Sequence, residues 1–238
     1  MPGLGTIINT AAIIAGGLLG LLFKNLLTKS MEDTLLKASS VCVLFIGIGG
    51  AMQHMLKITD GALETSGSMM LIICFVLGSI VGELLDIEGA FERFGAWLRK
   101  KTHNESDTGF LSAFIHASLT VCIGAMAIVG SIQDGLLGDS SLLCAKAALD
   151  AVIILVMTAS MGKGCIFSAI PVALLQGGVT LLSRVLAPVF TEAAIANLSY
   201  TGSVMIFCVG LNLVWGKKIK VANLLPTLVF AVLYALVF

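Results

Sequence analysis

Eight stretches of roughly 20 largely apolar residues run through this chain, each about as long as a helix rising ~1.5 Å per residue must be to cross a hydrocarbon layer of ~30 Å. They fall at about 3–23, 38–55, 66–85, 109–132, 141–160, 165–186, 197–215 and 221–238, and only MGKG (Met161 to Gly164) separates the fifth from the sixth. A bilayer offers no water to backbone N–H and C=O groups, so segments of this kind must satisfy them internally, as helices do. The composition agrees. The chain is 58% hydrophobic and 12% charged with a mean hydropathy of +1.04, whereas soluble domains carry charge on about a quarter of their residues. The expected fold is all-α: a polytopic transmembrane helical bundle of about eight spans in a single domain, with interfacial amphipathic helices.

The basic residues give this bundle a direction. Eleven of the fourteen Lys and Arg fall in alternate connections, as Lys24, Lys29 and Lys37, then Arg93, Arg99, Lys100 and Lys101, then Lys163, then Lys217, Lys218 and Lys220. The remaining three are Lys57, Lys146 and Arg184. The positive-inside rule then places both termini outside the cytoplasm, and an odd number of spans would spoil the alternation. The opening MPGLGTIINTAAIIAGG lacks the positive segment of a secretory signal and reads as a retained first span. Residues 24–37 (KNLLTKSMEDTLLK) and 86–101 (DIEGAFERFGAWLRKK) are amphipathic at helical spacing, as expected of helices lying in the cytoplasmic interface beside anionic head groups. A net charge of zero gives no basic face for nucleic acid.

Glycine registers suggest an internal repeat. An offset of 161 lays Gly16-Gly17 on Gly177-Gly178 and Gly49 on Gly210, and an offset of 62 lays Gly16 and Gly20 on Gly78 and Gly82. An offset of 86 lays CIGAMAIVG (Cys122 to Gly130, containing Gly124) on CVGLNLVWG (Cys208 to Gly216). Three units follow, at about 1–55, 66–160 and 165–238, the last inverted relative to the second. Inverted repeats recur in secondary transporters, whose sites form near the midplane where broken helices meet. Glycine at Gly16/Gly20 and Gly78/Gly82 also suits plain helix packing through GxxxG. Such faces admit a homodimer.

Polar side chains inside spans are costly, which makes each one a functional candidate. Asp150, about ten residues into the fifth span, reads either as a proton or cation site or as a structural group paired with Lys146 at i−4. His116 reads as a packing group or a relay, and Glu83 as a side chain reaching for the interface. Asn9, Ser131, Gln133, Gln176 and Asn212 complete the set, with Gln176 beside Gly177-Gly178 and Asn212 two residues past Gly210. The six cysteines lie in apolar runs with no CxxC pair or metal-ligand spacing. No HExxH, GxSxG or GxxxxGK[ST] string is present. No enzymatic activity, metal or cofactor is expected.

The strings GLGTIINTAAIIAGGLLG, GAMAIVGSIQDGLLGD, KAALDAVIILVMTASMGKG and SAIPVALLQGGVTLL resemble the YqgA/YdfK-like bacterial membrane-protein family, a domain of unknown function. The resemblance covers essentially the full chain and implies a multi-pass protein of the bacterial plasma (inner) membrane, with no established substrate. The family's pattern has glycine after the aspartate of KAALD, where Ala151 stands here. The leading expectation is a secondary transporter for a small polar solute, coupled to protons or sodium, with its site between the fourth to seventh spans. Asp150 would couple, and Gln176, Asn212 and Ser131 would be ligands. A non-transporting scaffold or regulatory subunit is the alternative, and a passive channel the third reading.

Overall fold

The computed structural model describes residues 2–24, 28–59, 61–105, 107–123 and 125–237. The helices are α1 (Leu4–Lys24), α2 (Lys29–Met55), α3 (Ser68–Leu85), α4 (Ile87–Lys101), α5 (Phe110–Cys122), α6 (Ala125–Leu137), α7 (Ser141–Met161), α8 (Ala169–Leu181), α9 (Ser183–Leu186), α10 (Glu192–Trp215) and α11 (Pro226–Val237). Turns of 3-10 helix, Lys163–Ser168 and Val221–Leu224, lead into α8 and α11. Between α2 and α3 a short antiparallel hairpin pairs β1 (Leu56–Thr59) with β2 (Ala62–Thr65), setting Lys57 opposite Glu64. The fold is thus an all-α polytopic bundle with one small hairpin.

Among the described residues six segments, rather than the expected eight, are each long and apolar enough to cross a membrane as one helix: α1, α2, α3, α7, Lys163–Leu181 and α10. The fourth expected span is not one straight helix. It is the pair α5 and α6, bent by 60° at a break, which makes a seventh if the pair is taken as one span. The eighth, Val221–Val237, is apolar but shorter than the rest. A window of hydropathy cannot see either feature, because a break of a few apolar residues leaves its average untouched. The two amphipathic connections also differ from each other. Residues 29–37 are the first turns of α2 itself, so no separate interfacial helix forms there; Leu26 and Leu27 lie outside the described residues. Residues 87–101 do form a separate helix, α4, which turns off α3 at Asp86 (φ 48°). Phe94 of α4 packs on Phe114 of α5, and Gly95 faces Leu111 and Phe114.

Small residues decide which helices touch. On Gly20 of α1 a Cβ would stand 2.5 Å from the Leu155 carbonyl oxygen, and Gly16 sits as tightly on Ala151. With Gly5 against Leu143, these contacts run α1 parallel to α7. Gly78 and Gly82 of α3 lie against the Thr227 and Asn223 backbone, which runs α11 antiparallel to α3. Gly47 and Gly50 on Phe207 and Ser203, with Gly210 on Leu44, run α2 antiparallel to α10. Missing Cβ atoms let backbones close to distances that dispersion and weak Cα–H contacts reward, the main cohesive terms where lipid removes the hydrophobic drive. Gly17 packs on Ile166, whereas Gly177 and Gly178, its counterparts in the expected register, have nothing within 4 Å of the point where a Cβ would stand. Gly162 ends α7 with φ 99°, a conformation open to glycine, and so sharpens the MGKG boundary into a turn.

Candidate functional site

Lys146 and Asp150 stand one turn apart on α7, a spacing that puts both on one face, and both are almost fully buried. The Lys146 ammonium pairs with Asp150 Oδ2 and donates to the Val121 carbonyl at 2.8 Å. Asn9 of α1 donates through Nδ2 to the same Asp150 oxygen at 3.0 Å. Val121 lies in the last turn of α5, about 11 residues or roughly 16 Å along the helix, near mid-membrane depth. In an unbroken helix its carbonyl would accept from the N–H four residues on. Ile123 turns to extended backbone (φ −80°, ψ 120°) and ends the helix. The carbonyl freed by the break is satisfied by the lysine, whose charge also complements the negative end of α5. A buried ion pair and a broken span are therefore parts of one construction.

A second polar cluster lies at the end of the bundle where α1 begins. Asp134 of α6 is fully buried, and its Oδ2 accepts from the Gly5 N–H at 3.0 Å, capping the start of α1. Its Oδ1 has no hydrogen-bond partner among the described residues. Beside it, Pro2, Gly3, Thr6, Ile7, Gly135, Gly177, Thr180, Leu181, Ser183 and Arg184 line a cavity of about 400 Å³. The Thr6 and Thr180 hydroxyls and both amide atoms of Gln176 are buried without partners. Ser131 is buried on α6 and donates to the Ala127 carbonyl at 2.6 Å, while Gln133 is half-buried on the same helix.

The opposite end holds a charged network. Glu88 of α4 is buried, accepts from the Ala222 N–H at 3.0 Å and pairs with Lys217 at 3.0 Å; its own N–H donates to Asn223 Oδ1 at 2.6 Å. Lys217 also meets Glu92, and Lys220 and Asn223 hold Glu83. The hydrogen bond that Lys220 donates to Glu83 keeps its ammonium above its ordinary range, and the Arg93 guanidinium keeps the Asp86 carboxyl below its own. A cavity of about 120 Å³ here is lined by His116, Asn212, Glu88 and Lys217 among others.

The expected single site is accordingly divided. Asn9 joins Asp150, which brings the first span into a site expected between the fourth and seventh. Gln176 lies toward the α1-start cavity, beside Gly177. Asn212 is at the other end, and its side chain is consumed by its own turn: Nδ2 donates to the Ile219 carbonyl (2.7 Å) and Oδ1 accepts from the Lys218 and Ile219 N–H groups (3.0 and 2.9 Å). Those bonds hold the turn after α10, and the residue also lines the small cavity at that end. His116 lines the same small cavity and engages the Ser112 carbonyl through Nδ1 at 2.8 Å. Gly124, at the break, lies outside the described residues. Glu83 is ion-paired rather than merely reaching for the interface. Asp134 and Glu88 were missed. Asp134 falls beyond the expected end of its span, yet Ala127, Gly130, Ser131 and Asp134 recur at helical spacing and form the buried stripe of α6, a pattern readable in the sequence.

Among the described residues no group of three or more His, Cys, Asp or Glu could hold a metal ion. No solved structure matches the chain. It is similar to the uncharacterized membrane protein YdfK of Bacillus subtilis strain 168, 27% identical over 94% of this chain and 92% of that one. It is also similar to the uncharacterized protein YqgA of Escherichia coli K12, 25% identical over 96% of this chain and 94% of that one. With residues 4–236 matching, and with the apolar helices described above, the chain belongs to the DUF554 family of proteins of unknown function and is a polytopic membrane protein.

Proposed function

We propose that the chain is a secondary transporter for a small polar solute, driven by a proton or sodium gradient. The observation that carries this reading is the break between α5 and α6, held by a buried lysine that is itself paired with a buried carboxylate. Breaking a span deep in a bilayer exposes backbone groups at high cost, and it is tolerated where the break is buried in protein or lines a water-filled cavity, the second being the arrangement of transporter sites. The pair also gives the break a means of responding. Lys146 divides its charge between Asp150 and the Val121 carbonyl, so a proton or cation reaching Asp150 weakens its hold on Lys146 and changes how the lysine grips α5. Occupancy at Asp150 is thereby linked to the geometry of the broken span. Two stretches of the bundle, α3 to α7 and α8 to α11, each order a span, an amphipathic or short helix, and two further crossings. On the orientation given by the basic residues they run in opposite senses, as an inverted repeat would. The termini then lie outside the cytoplasm.

Purified protein in liposomes adsorbed on a solid-supported electrode tests this. A panel of amino acids, carboxylates and sugars, each offered with and without a proton or sodium gradient, is expected to contain at least one compound that evokes a gradient-dependent current. Asp150→Asn should abolish it. Silence across the panel, with Asp150→Asn leaving host growth unchanged under every condition tried, would remove the basis for transport.

The alternative, a membrane scaffold, draws on one specific observation. Asp150 is only 3% exposed, closed over by Lys146 and Asn9, and it lines none of the cavities described above. The two readings differ in whether water ever reaches the break.

A further inference from the structure

Among the described residues two buried carboxylates, Asp150 and Asp134, lie within the bundle of spans, and their surroundings are opposite. Asp150 has a cation and an amide. Asp134 has one backbone N–H on Oδ2, nothing on Oδ1, and no ion pair among the described residues. An ionised carboxylate buried without a counter-charge is expensive, so the surroundings of Asp134 are incomplete as they stand.

What surrounds it is oxygen. Thr6 and Thr180 are each 8% exposed, line the cavity beside Asp134, and have hydroxyls without partners. Gly135, the next residue, is so close to α8 and α9 that a Cβ on it would stand 2.5 Å from the Thr180 carbonyl oxygen and closer still to Ser183 Oγ. On the other side, Gly5 abuts Asp134 Oδ2. The Asp134 carboxylate and the hydroxyls and carbonyl on these neighbouring residues are oxygen donors of the kind a hard cation takes. The single negative charge suits a monovalent ion, since a divalent one would leave net charge in a poorly solvated place. Helix geometry points the same way. α6 ends at Leu137 and α8 at Leu181, so two negative helix ends converge on the cavity, while the positive start of α1 is already occupied by Asp134 Oδ2. Among the described residues that line the cavity, Arg184 is the one with a charged side chain, and it is exposed. Lys146 and Asp150, the charges on α7, are engaged with each other.

We propose that Asp134, Thr6, Thr180 and Ser183 form a binding site for a monovalent cation of the sodium class, entered from the end of the bundle where α1 begins. A proton would occupy one Asp134 oxygen and leave both threonine hydroxyls unpartnered, whereas a cation held by the proposed set would draw on the hydroxyls as well. If the transport reading holds, this site supplies the coupling ion, and Asp150 with Lys146 is the responding element instead. The cation site itself does not depend on flux.

Thermal unfolding of the purified full-length protein in detergent tests it, with sodium chloride replaced stepwise by choline chloride at constant ionic strength. Ligand binding to the folded state raises the midpoint, and at 100-fold excess over Kd the rise for a chain of this size is roughly 5–10 °C. Sodium should produce it, and Asp134→Asn should abolish the sodium response. Thr6→Val and Thr180→Val, which leave the Asp134 hydrogen bond to Gly5 intact, should each weaken the apparent affinity at least tenfold. Gly49→Ala, on an open face of α2, should keep the response. A midpoint indifferent to sodium overturns the site, as does one that moves with pH but not sodium, which would mean a proton alone. An unchanged response in both threonine variants overturns it too. A sodium response in a protein that carries no solute would leave this site standing and defeat the transport reading.

Discussion

Lys146→Ala is expected to destabilise the folded bundle by about 3–5 kcal/mol, the usual cost of stranding one partner of a buried ion pair. The loss has two parts. Asp150 keeps only the Asn9 amide, and the Val121 carbonyl at the end of α5 loses its donor. Reversible unfolding in mixed micelles, titrated with denaturing detergent, measures the change. The paired variant Lys146→Met with Asp150→Leu separates the parts. Replacing a buried pair by apolar groups of similar volume is often neutral, so the double variant should recover most of the loss. It should remain about 1–3 kcal/mol below the native protein because the carbonyl is still unsatisfied. If Lys146→Ala unfolds like the native chain, the pair is not buried as described. The double variant has a second use: it should be stable and unable to transport, whereas a scaffold built on the same bundle should keep working.

Gly82→Val is expected to detach α11 from α3. The Asn223 carbonyl already occupies the space that any side chain at this position would need, and Gly78 meets the Thr227 N–H group in the same way one turn earlier. Backbone cannot move aside as a side chain can, so the helices must separate. Overpacking ordinarily costs about 1–3 kcal/mol, and here separation also pulls Asn223 from Glu83 (2.6 Å) and from the Glu88 N–H. The expected result is a loss at or above the top of that range, with the last segment, Val221–Val237, becoming sensitive to protease in detergent while α1 and α7 stay resistant. Gly49→Ala on α2, where nothing lies within 4 Å, is the matched control and should change the unfolding midpoint little. Equal effects at the two positions would mean that α3 and α11 do not pack through their glycines.

The fold was largely readable because a bilayer imposes its length on apolar runs and alternates charge between their connections. The glycines of GxxxG told which faces could close, though not which partners they would meet. Gly16 meets α7 and Gly78 meets α11, pairings set by the packing of the whole bundle. What escaped was local and polar. The break between α5 and α6 is flanked by apolar residues on both sides and leaves hydropathy unchanged. CIGAMAIVG holds it, while the string matched to it, CVGLNLVWG, lies almost wholly in the continuous α10, so a shared register does not carry a shared conformation. The Lys146 and Asp150 pair was visible as an i, i+4 spacing. Asn9 reaches it across 141 positions of sequence, and only the parallel packing of α1 on α7 brings the two together. Asn212 shows the converse: a polar residue within a span, spent on the turn that follows it.

Cys122 gives the most direct test of the central claim, that the broken span opens a route through the membrane. It is the last residue of α5, beside the carbonyl that Lys146 holds. Thiols react with charged methanethiosulfonates as thiolates, a form that requires contact with water. In a variant retaining Cys122 alone, with the other five cysteines replaced by alanine, the transport account predicts that a membrane-impermeant reagent modifies Cys122 in the folded protein in native membranes. Modification only after denaturation would mean a break that stays dry, and would contradict it.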